Sequence, residues 1–275
     1  MSASARDPAI RLASITGRLR AAGCVFAEAE ARLLTAAADS PAALRDMVER
    51  RVAGLPLEHI IGWAEFCGLR IVLEPGVFVP RPRSELLVRL AAARTAPGSV
   101  VVDLACGSGA IGAAIAAIAG QIELHACDVD PASVRCARRN LAAARGHVHA
   151  GDLYAALPDR LRGRVDVIAA NVPYVPSEAV VLMPAEARMH EPLLALDGGQ
   201  DGLDVLRRAA ARAGGWLAPG GHLLIETSSG QAQAAAAEFA AAGLAAQIAS
   251  DEDLGATVIV GQAALTARQF APDRR

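Results

Sequence analysis

The stretch from Val100 to Gly112, Val-Val-Val-Asp-Leu-Ala-Cys-Gly-Ser-Gly-Ala-Ile-Gly, limits the possible folds more than any other part of the chain. Its apolar start, Val100–Leu104, reads as a buried strand, and Ala110–Ala119 reads as a helix. Gly107 and Gly109 between them permit a tight turn that brings backbone N–H groups to a ligand at the helix N-terminus, and Gly112 lets the helix lie close to the sheet. Asp128 follows the next apolar run, Ile122–Cys127, 19 residues beyond Gly109. A carboxylate there accepts both hydroxyls of a ribose, so the expected ligand contains a nucleoside. Asp130 reads as the cap of a helix opening at Pro131.

Two cofactors suit this geometry: a dinucleotide such as NAD, and S-adenosylmethionine, which has no pyrophosphate. Asp103 favours the second, because a carboxylate four residues before the first glycine suits a cationic amino-acid end and gains nothing beside pyrophosphate. Asp152, in Gly151-Asp152-Leu153-Tyr154, is placed either to contact an adenine or to cap a short helix.

The rest of the chain divides around this unit. Residues 9–62 show helical spacing, as in Ile10, Leu12, Ile15 and Leu19, with Ser40-Pro41 as a cap and first-turn proline. Glu65–Val79 reads as a hairpin of Phe66–Leu73 and Val77–Val79 around the turn signal Glu74-Pro75-Gly76. Ser84 reads as the cap of a linker helix. Beyond Pro97-Gly98, strands at 165–170, 222–226, 244–249 and 257–262 alternate with helices at 131–144, 202–213 and 231–242, a pattern that implies an α/β sheet covered on both faces. The expected organisation is residues 1–70 as a helical domain, 71–96 as hairpin and linker, and 97–275 as the cofactor-binding domain.

Asn171-Val172-Pro173-Tyr174 follows the apolar run Val165–Ala170 and reads as a catalytic loop without a titratable base. An amide or aryl amine nitrogen is a poor nucleophile because its lone pair is delocalised. A site helps by accepting hydrogen bonds from both N–H groups and so aiming the lone pair, which Asn171 Oδ1 and the Val172 carbonyl are suited to do. Pro173 restricts Val172 to extended backbone, and Tyr174 offers a face for a planar group. A plain strand-ending turn is the alternative reading of these four residues.

Composition removes other classes. The 275 residues are 53% apolar and carry a formal net charge of −2 with no lysine, so there is no broad basic surface for a nucleic-acid backbone. Five cysteines without a C-x-x-C pair, and no basic-then-apolar leader at the N-terminus, point to the reducing cytoplasm. The apolar runs are too short for a membrane span. His147 and His149 share one side of a strand, but no third ligand is suitably spaced, so they read as structural and no metal is expected. Cys106 and Cys127 read as packing residues at strand ends.

Asp103-x-x-x-Gly107-x-Gly109, Asp128 and Asp152, in this order, resemble a class I, Rossmann-like S-adenosylmethionine methyltransferase. The 171–174 loop is similar to the Asn-Pro-Pro-Tyr loop of amide and amine methyltransferases. Leu57–Leu69, Val79-Pro80-Arg81-Pro82, His190–Gly199 and Leu217–Glu226 narrow the resemblance to the protein N(5)-glutamine methyltransferases of the release-factor type, the HemK/PrmC family, over residues 26–262. The resemblance implies a seven-stranded mixed sheet behind a small helical domain that recognises the partner. It also implies cofactor contacts from Asp103, Ala105, Gly107, Gly109, Asp128, Asp152, Leu153 and Asn171, with catalysis at Asn171, Val172, Pro173 and Tyr174. The implied substrate is a glutamine exposed on a peptide chain release factor, in its Gly-Gly-Gln motif.

Three departures qualify that picture. Val172 replaces the family's first loop proline; Arg83 stands where an acidic residue is usual, with Ser84 in place of threonine; and Glu226-Thr227-Ser228-Ser229-Gly230-Gln231 keeps the family's Glu and Gln but alters what lies between. Glu191 and Glu226 are candidate positioning groups. The competing readings are a nucleic-acid amine methyltransferase, an NAD-dependent oxidoreductase, and an inactive paralogue that binds S-adenosylmethionine.

Overall fold

The computed structural model describes residues 8–265. The expected domain ends at 1–7 and 266–275 lie outside the described residues. Four helices open the chain: α1 (Pro8–Ala21), α2 (Ala27–Ala37), α3 (Pro41–Val52) and α4 (Leu57–Ile61). They enclose a core of their own around Leu19, Ala31, Leu34 and Val48. Ser40 caps α3, its side chain accepting from Ala43 N at 3.1 Å, with Pro41 in the first turn as read from sequence. Arg51 donates to the buried Glu30 at 2.6 Å and reaches Glu186 at 3.1 Å, which ties this helical unit to the segment that closes the site.

The hairpin is shorter than expected and turns elsewhere. It consists of β1 (Trp63–Phe66) and β2 (Leu69–Val72), joined antiparallel, with Phe66 opposite Leu69. Cys67 and Gly68 make the turn with φ of 50° and 72°, the two successive left-handed positions of a tight two-residue hairpin. Val77–Val79 is therefore not a strand. Val77 and Val79 are buried as loop residues against Ala64 and Leu73, an alternation that burial alone produces.

A 3-10 turn at Pro82–Ser84 leads into α5 (Glu85–Ala92), and then the sheet begins. Its strands are β3 (Val100–Leu104), β4 (Glu123–Asp128), β5 (His147–Ala150), β6 (Val165–Ala170), β7 (Leu217–Thr227), β8 (Ala245–Asp251) and β9 (Ala256–Gln262). The spatial order is β5-β4-β3-β6-β7-β9-β8. Neighbours from β5 to β7 run parallel, and β9 is antiparallel to both β7 and β8. The sheet is mixed, with seven strands.

Helices cover both faces. Val100, Val102 and Leu104 project into one core with α9 (Asp204–Ala213) and α10 (Ala232–Ala241), while Val101 projects into the other with α5, α6 (Ala110–Ala119) and the end of α7 (Pro131–Asn140). The order of strands reverses direction between β3 and β6, so the loops after Leu104 and Ala170 flank a crevice at the carboxyl edge. The segment between β6 and α9 fills that edge with a 3-10 turn at Ser177–Leu182, α8 (Ala185–His190) and a 3-10 turn at Leu193–Ala195. No described helix is long and apolar enough to cross a membrane.

Candidate active site

The loop after β3 is bent by left-handed residues at Ala105, Gly107 and Gly109, with φ of 55°, 53° and 77°. A Cβ at Gly109 would also stand 3.1 Å from the Ala137 side chain of α7, so this turn needs glycine for both backbone and space. Asp128 holds the loop from β4: its Oδ2 accepts from Gly107 N at 2.8 Å and its Oδ1 from Asp130 N at 2.9 Å. Burial raises its carboxyl above the usual aspartate range, partly offset by these N–H donors. Asp130 caps α7 through Ser133, accepting from both its N–H and its hydroxyl. Asn140, which the sequence reading passed over, donates to Ser108 O at 2.8 Å and pairs with both backbone groups of Val72, clamping the loop to the hairpin.

These groups form one end of a cavity of about 230 Å³. Ala105, Gly107, Asp128, Asp152 and Leu153 line it. Asp152 does not cap the turn that follows it; its carboxylate pairs with Arg208 instead. Leu153 has φ of 47°, turning its backbone in the left-handed sense at the cavity wall.

Asp103 is placed differently from its sequence reading. It is fully buried and absent from the cavity wall, with Oδ2 accepting from Gly112 N at 2.8 Å and Oδ1 without a donor among the described residues. Burial pushes its carboxyl up to about 8, so at neutral pH it is largely uncharged and supplies no counter-charge to an ammonium. Its place is beneath the loop, joining β3 to α6. Gly109 likewise shapes the loop without lining the cavity.

The other end of the cavity is built by residues 171–174, the turn at 81–84, and Glu191. Asn171 Nδ2 donates to the buried hydroxyl of Ser84 at 3.2 Å. Among the described residues no donor reaches Asn171 Oδ1 or the Val172 carbonyl. The acceptor pair read from the sequence is thus held and open. The Val172 side chain is buried in the core behind the loop, which anchors this position without the missing proline ring. Tyr174 OH donates to Glu226 Oε1 at 3.3 Å, and Gln231 Nε2 donates to Tyr174 O at 2.9 Å. Burial and then the Glu226 carboxylate push the phenol above its ordinary value, so it stays a donor.

Arg83, at the family's acidic position, donates to Glu226 Oε1 at 3.1 Å and lies over the Tyr174 ring at 5.6 Å. Arg81 pairs with Glu191, whose side chain is 1% exposed. Both carboxylates keep one buried oxygen without a donor among the described residues. These ion pairs span more than a hundred residues and leave no local trace in the sequence.

S-adenosylmethionine fits these residues by their chemistry. The first half of the cavity presents the Asp128 carboxylate and apolar walls from Ile111 and Val129. His147 and His149 sit away from it on edge strand β5, where His149 hydrogen bonds His125 at 3.0 Å. No group of three metal-ligating side chains occurs among the described residues.

Known proteins agree with this geometry. The methyltransferase small domain family matches residues 68–200. A release factor glutamine methyltransferase of Geobacter sulfurreducens is 35% identical over 222 residues, covering 80% of this chain and 77% of that protein. A 4-amino-L-phenylalanine/4-methylamino-L-phenylalanine methyltransferase of Streptomyces pristinaespiralis is 36% identical, covering 88% and 90%. A methyltransferase structure from Pyrococcus furiosus superposes with a TM-score of 0.57 at 18% identity, covering 78% of this chain and 99% of that one, and so shares the fold. With its methyl-donor cavity, its held Asn171 loop and relatives of this identity along most of its length, the chain belongs to the release factor glutamine methyltransferase family.

Proposed function

We propose that this enzyme methylates the side-chain amide nitrogen of a glutamine in a peptide chain release factor, with S-adenosylmethionine as donor. The observation that carries this reading is the pair of open oxygens, Asn171 Oδ1 and Val172 C=O, beside an aromatic face. When bound, the cofactor supplies a methyl group on a sulfonium, already activated for displacement. Asn171 and Val172 accept the two amide hydrogens and direct the nitrogen lone pair, while Tyr174 packs on the amide plane. Alignment of this kind is worth roughly 7–11 kcal/mol in favourable cases.

Ala105, Gly107, Asp128, Asp152 and Leu153 hold the cofactor in this reading, with Asp103 and Gly109 shaping the loop from behind. We assign partner recognition to the helical domain, residues 1–70, and catalysis to 97–275. The five unpaired cysteines fit a cytoplasmic setting.

A free aryl amine is the second reading. It is favoured by the Streptomyces pristinaespiralis relative, matched along 90% of its length, and an aryl amine offers the same two N–H groups and a planar ring for Tyr174. The test is labelled methyl transfer to purified release factors, to release factors with the Gly-Gly-Gln glutamine changed to alanine, to 4-amino-L-phenylalanine, and to total nucleic acid. Label on the unmodified release factor alone supports glutamine methylation. Label on the amino acid or the nucleic acid alone overturns it.

A further inference from the structure

The acceptor end of the cavity is lined by two guanidinium groups, Arg81 and Arg83, from the turn whose Ser84 hydroxyl holds Asn171. Both are held from behind. Arg81 pairs with Glu191 and lies over the Phe78 ring at 5.3 Å. Arg83 donates from Nε to Glu226 at 3.1 Å and lies over the Tyr174 ring at 5.6 Å. Each carboxylate partner is 1% exposed, whereas the arginine side chains are 33% and 44% exposed. A buried carboxylate on one side and an aromatic ring on another fix each guanidinium before a ligand arrives.

Arg83 is the more open of the two. Its Nε alone meets Glu226, so Nη1 and Nη2 have no hydrogen-bond acceptor among the described residues. The carboxylates of the wall are engaged elsewhere: Asp128 accepts from Gly107 and Asp130 N–H, Asp130 accepts from Ser133, Asp152 pairs with Arg208, and Glu191 pairs with Arg81. The acceptor end therefore offers the open N–H groups of a cation beside the faces of Phe78 and Tyr174. A planar N–H fork of this kind suits a carboxylate.

We propose that Arg83 binds a carboxylate carried by the acceptor, and so selects anionic acceptors over neutral ones. This inference rests on the methyl-transfer reading above and adds the acceptor class to it: a planar nitrogen group on a molecule that also presents a carboxylate. Two sources supply that chemistry, the α-carboxylate of a free amino acid bearing an aryl amine, and an acidic side chain beside a glutamine in a protein. No bond changes at Arg83 during transfer, so its effect belongs to KM and not to kcat.

The experiment compares two acceptor pairs that differ by one charge: 4-amino-L-phenylalanine with its carboxamide, and release factors carrying glutamate or glutamine next to the Gly-Gly-Gln motif. Labelled methyl transfer is measured for the wild type, Arg83→Gln and Arg83→Lys, and calorimetry follows S-adenosylmethionine binding. The ratio of kcat/KM within a pair is insensitive to any loss of folded protein in a variant. In at least one pair the wild type should favour the carboxylate acceptor about tenfold or more, through KM. Arg83→Gln should abolish the preference, Arg83→Lys should keep part of it as a point charge without the fork, and both should bind cofactor as tightly as the wild type. The pair that discriminates identifies the source of the carboxylate. Equal kcat/KM within both pairs, or a preference that survives Arg83→Gln, overturns the proposal while leaving the methyl-transfer reading in place. Weaker cofactor binding by Arg83→Gln, with no change in acceptor preference, assigns these N–H groups to the carboxylate of the cofactor and overturns it too. A wild type that methylates none of these acceptors overturns both.

Discussion

Asn171 Nδ2 donates to Ser84 Oγ across 3.2 Å, joining residues 87 apart in sequence. One hydrogen bond thereby decides which way the Asn171 amide faces, and so which atom meets the substrate. Ser84→Ala frees the amide to rotate. It should lower kcat about tenfold, the equivalent of roughly 1.4 kcal/mol and the scale of one hydrogen bond. Ser84→Thr keeps the hydroxyl and should keep the rate. Single-turnover methyl transfer with saturating cofactor measures both.

Asn171 itself is tested by charge. Asn171→Asp preserves two acceptor oxygens but adds a negative charge near the sulfonium, stabilising the ground state more than a transition state in which that positive charge is dispersing. The variant should bind S-adenosylmethionine at least as tightly as the wild type and turn over at least tenfold more slowly. Asn171→Ala should bind cofactor and give no measurable transfer. Calorimetry and labelled transfer on the same preparations separate the two effects, and normal turnover by either variant would remove Asn171 from its role.

Arg83 stands where the resemblance leads one to expect an acidic residue, and its contacts explain how the site accepts it. Its guanidinium meets the buried Glu226 carboxylate and covers the Tyr174 ring. Arg83→Ala leaves Glu226 with only the Tyr174 hydroxyl as donor. The expected loss is about 1–3 kcal/mol of stability, seen as a melting temperature lower by several degrees. Glu226→Gln removes the charge that Arg83 neutralises, so the double variant should lose less than the sum of the two singles. Additive losses would mean that the pair is not coupled.

Much of this architecture is legible in the chain because it depends on local chemistry. The strand–turn–helix around Gly107 and Gly109 is marked by a backbone that glycine favours, and Asp128 by its distance from it. The loop at Asn171 is marked by the apolar strand before it. Other features have no local mark. Val77 and Val79 alternate like a strand although they are loop residues buried on one side, and the Cys67-Gly68 turn carries only one glycine. The segment from Ser177 to Ala195 is made of two 3-10 turns and the six-residue helix α8, too short to show a helical period, so Glu191 is visible only as a motif residue. Asp103 looks like a ligand contact from its spacing, yet its depth beneath the loop depends on how α6 packs. The pairs Arg81–Glu191 and Arg83–Glu226 are fixed by tertiary closure alone.

Asp103 gives the pH dependence a definite sign. Its carboxyl titrates near 3.8 in the unfolded chain and at about 8 in the fold, chiefly through burial. Below the unfolded value both states are protonated and the group is neutral to stability. Between about pH 4 and 8 the unfolded chain ionises while the fold resists, so stability falls as pH rises through that window. Asp103→Asn keeps an oxygen for Gly112 N–H and cannot ionise. Its melting temperature should exceed that of the wild type by a margin that widens from pH 4 to pH 8, as scanning calorimetry would show. A constant margin would mean that Asp103 is ionised in the fold.

Gly202 tests how far the catalytic loop depends on the segment behind it. Its φ is +78°, and a Cβ there would stand 2.3 Å from Tyr174 O and 2.4 Å from Gln231 Nε2. The same Nε2 donates to Tyr174 O and to Asp201 O, at 2.9 and 2.8 Å, and so pins the loop between α10 and the 197–202 turn. An added methyl cannot be absorbed by a flexible side chain, because the nearest atom is a backbone carbonyl of the loop itself. Gly202→Ala must therefore shift Tyr174 or break the Gln231 clamp, in addition to about 1 kcal/mol or more for a non-glycine residue held at this φ. The expected result is a melting temperature lower by several degrees and kcat reduced at least tenfold, with cofactor affinity retained because Asp128 and the Gly107 turn lie on the other side of the cavity. Gln231→Ala should reproduce the fall in kcat with a smaller loss of stability, since it removes the clamp without the clash. Equal kcat in Gly202→Ala and the wild type would show that the loop is positioned by Ser84 and Arg83 alone.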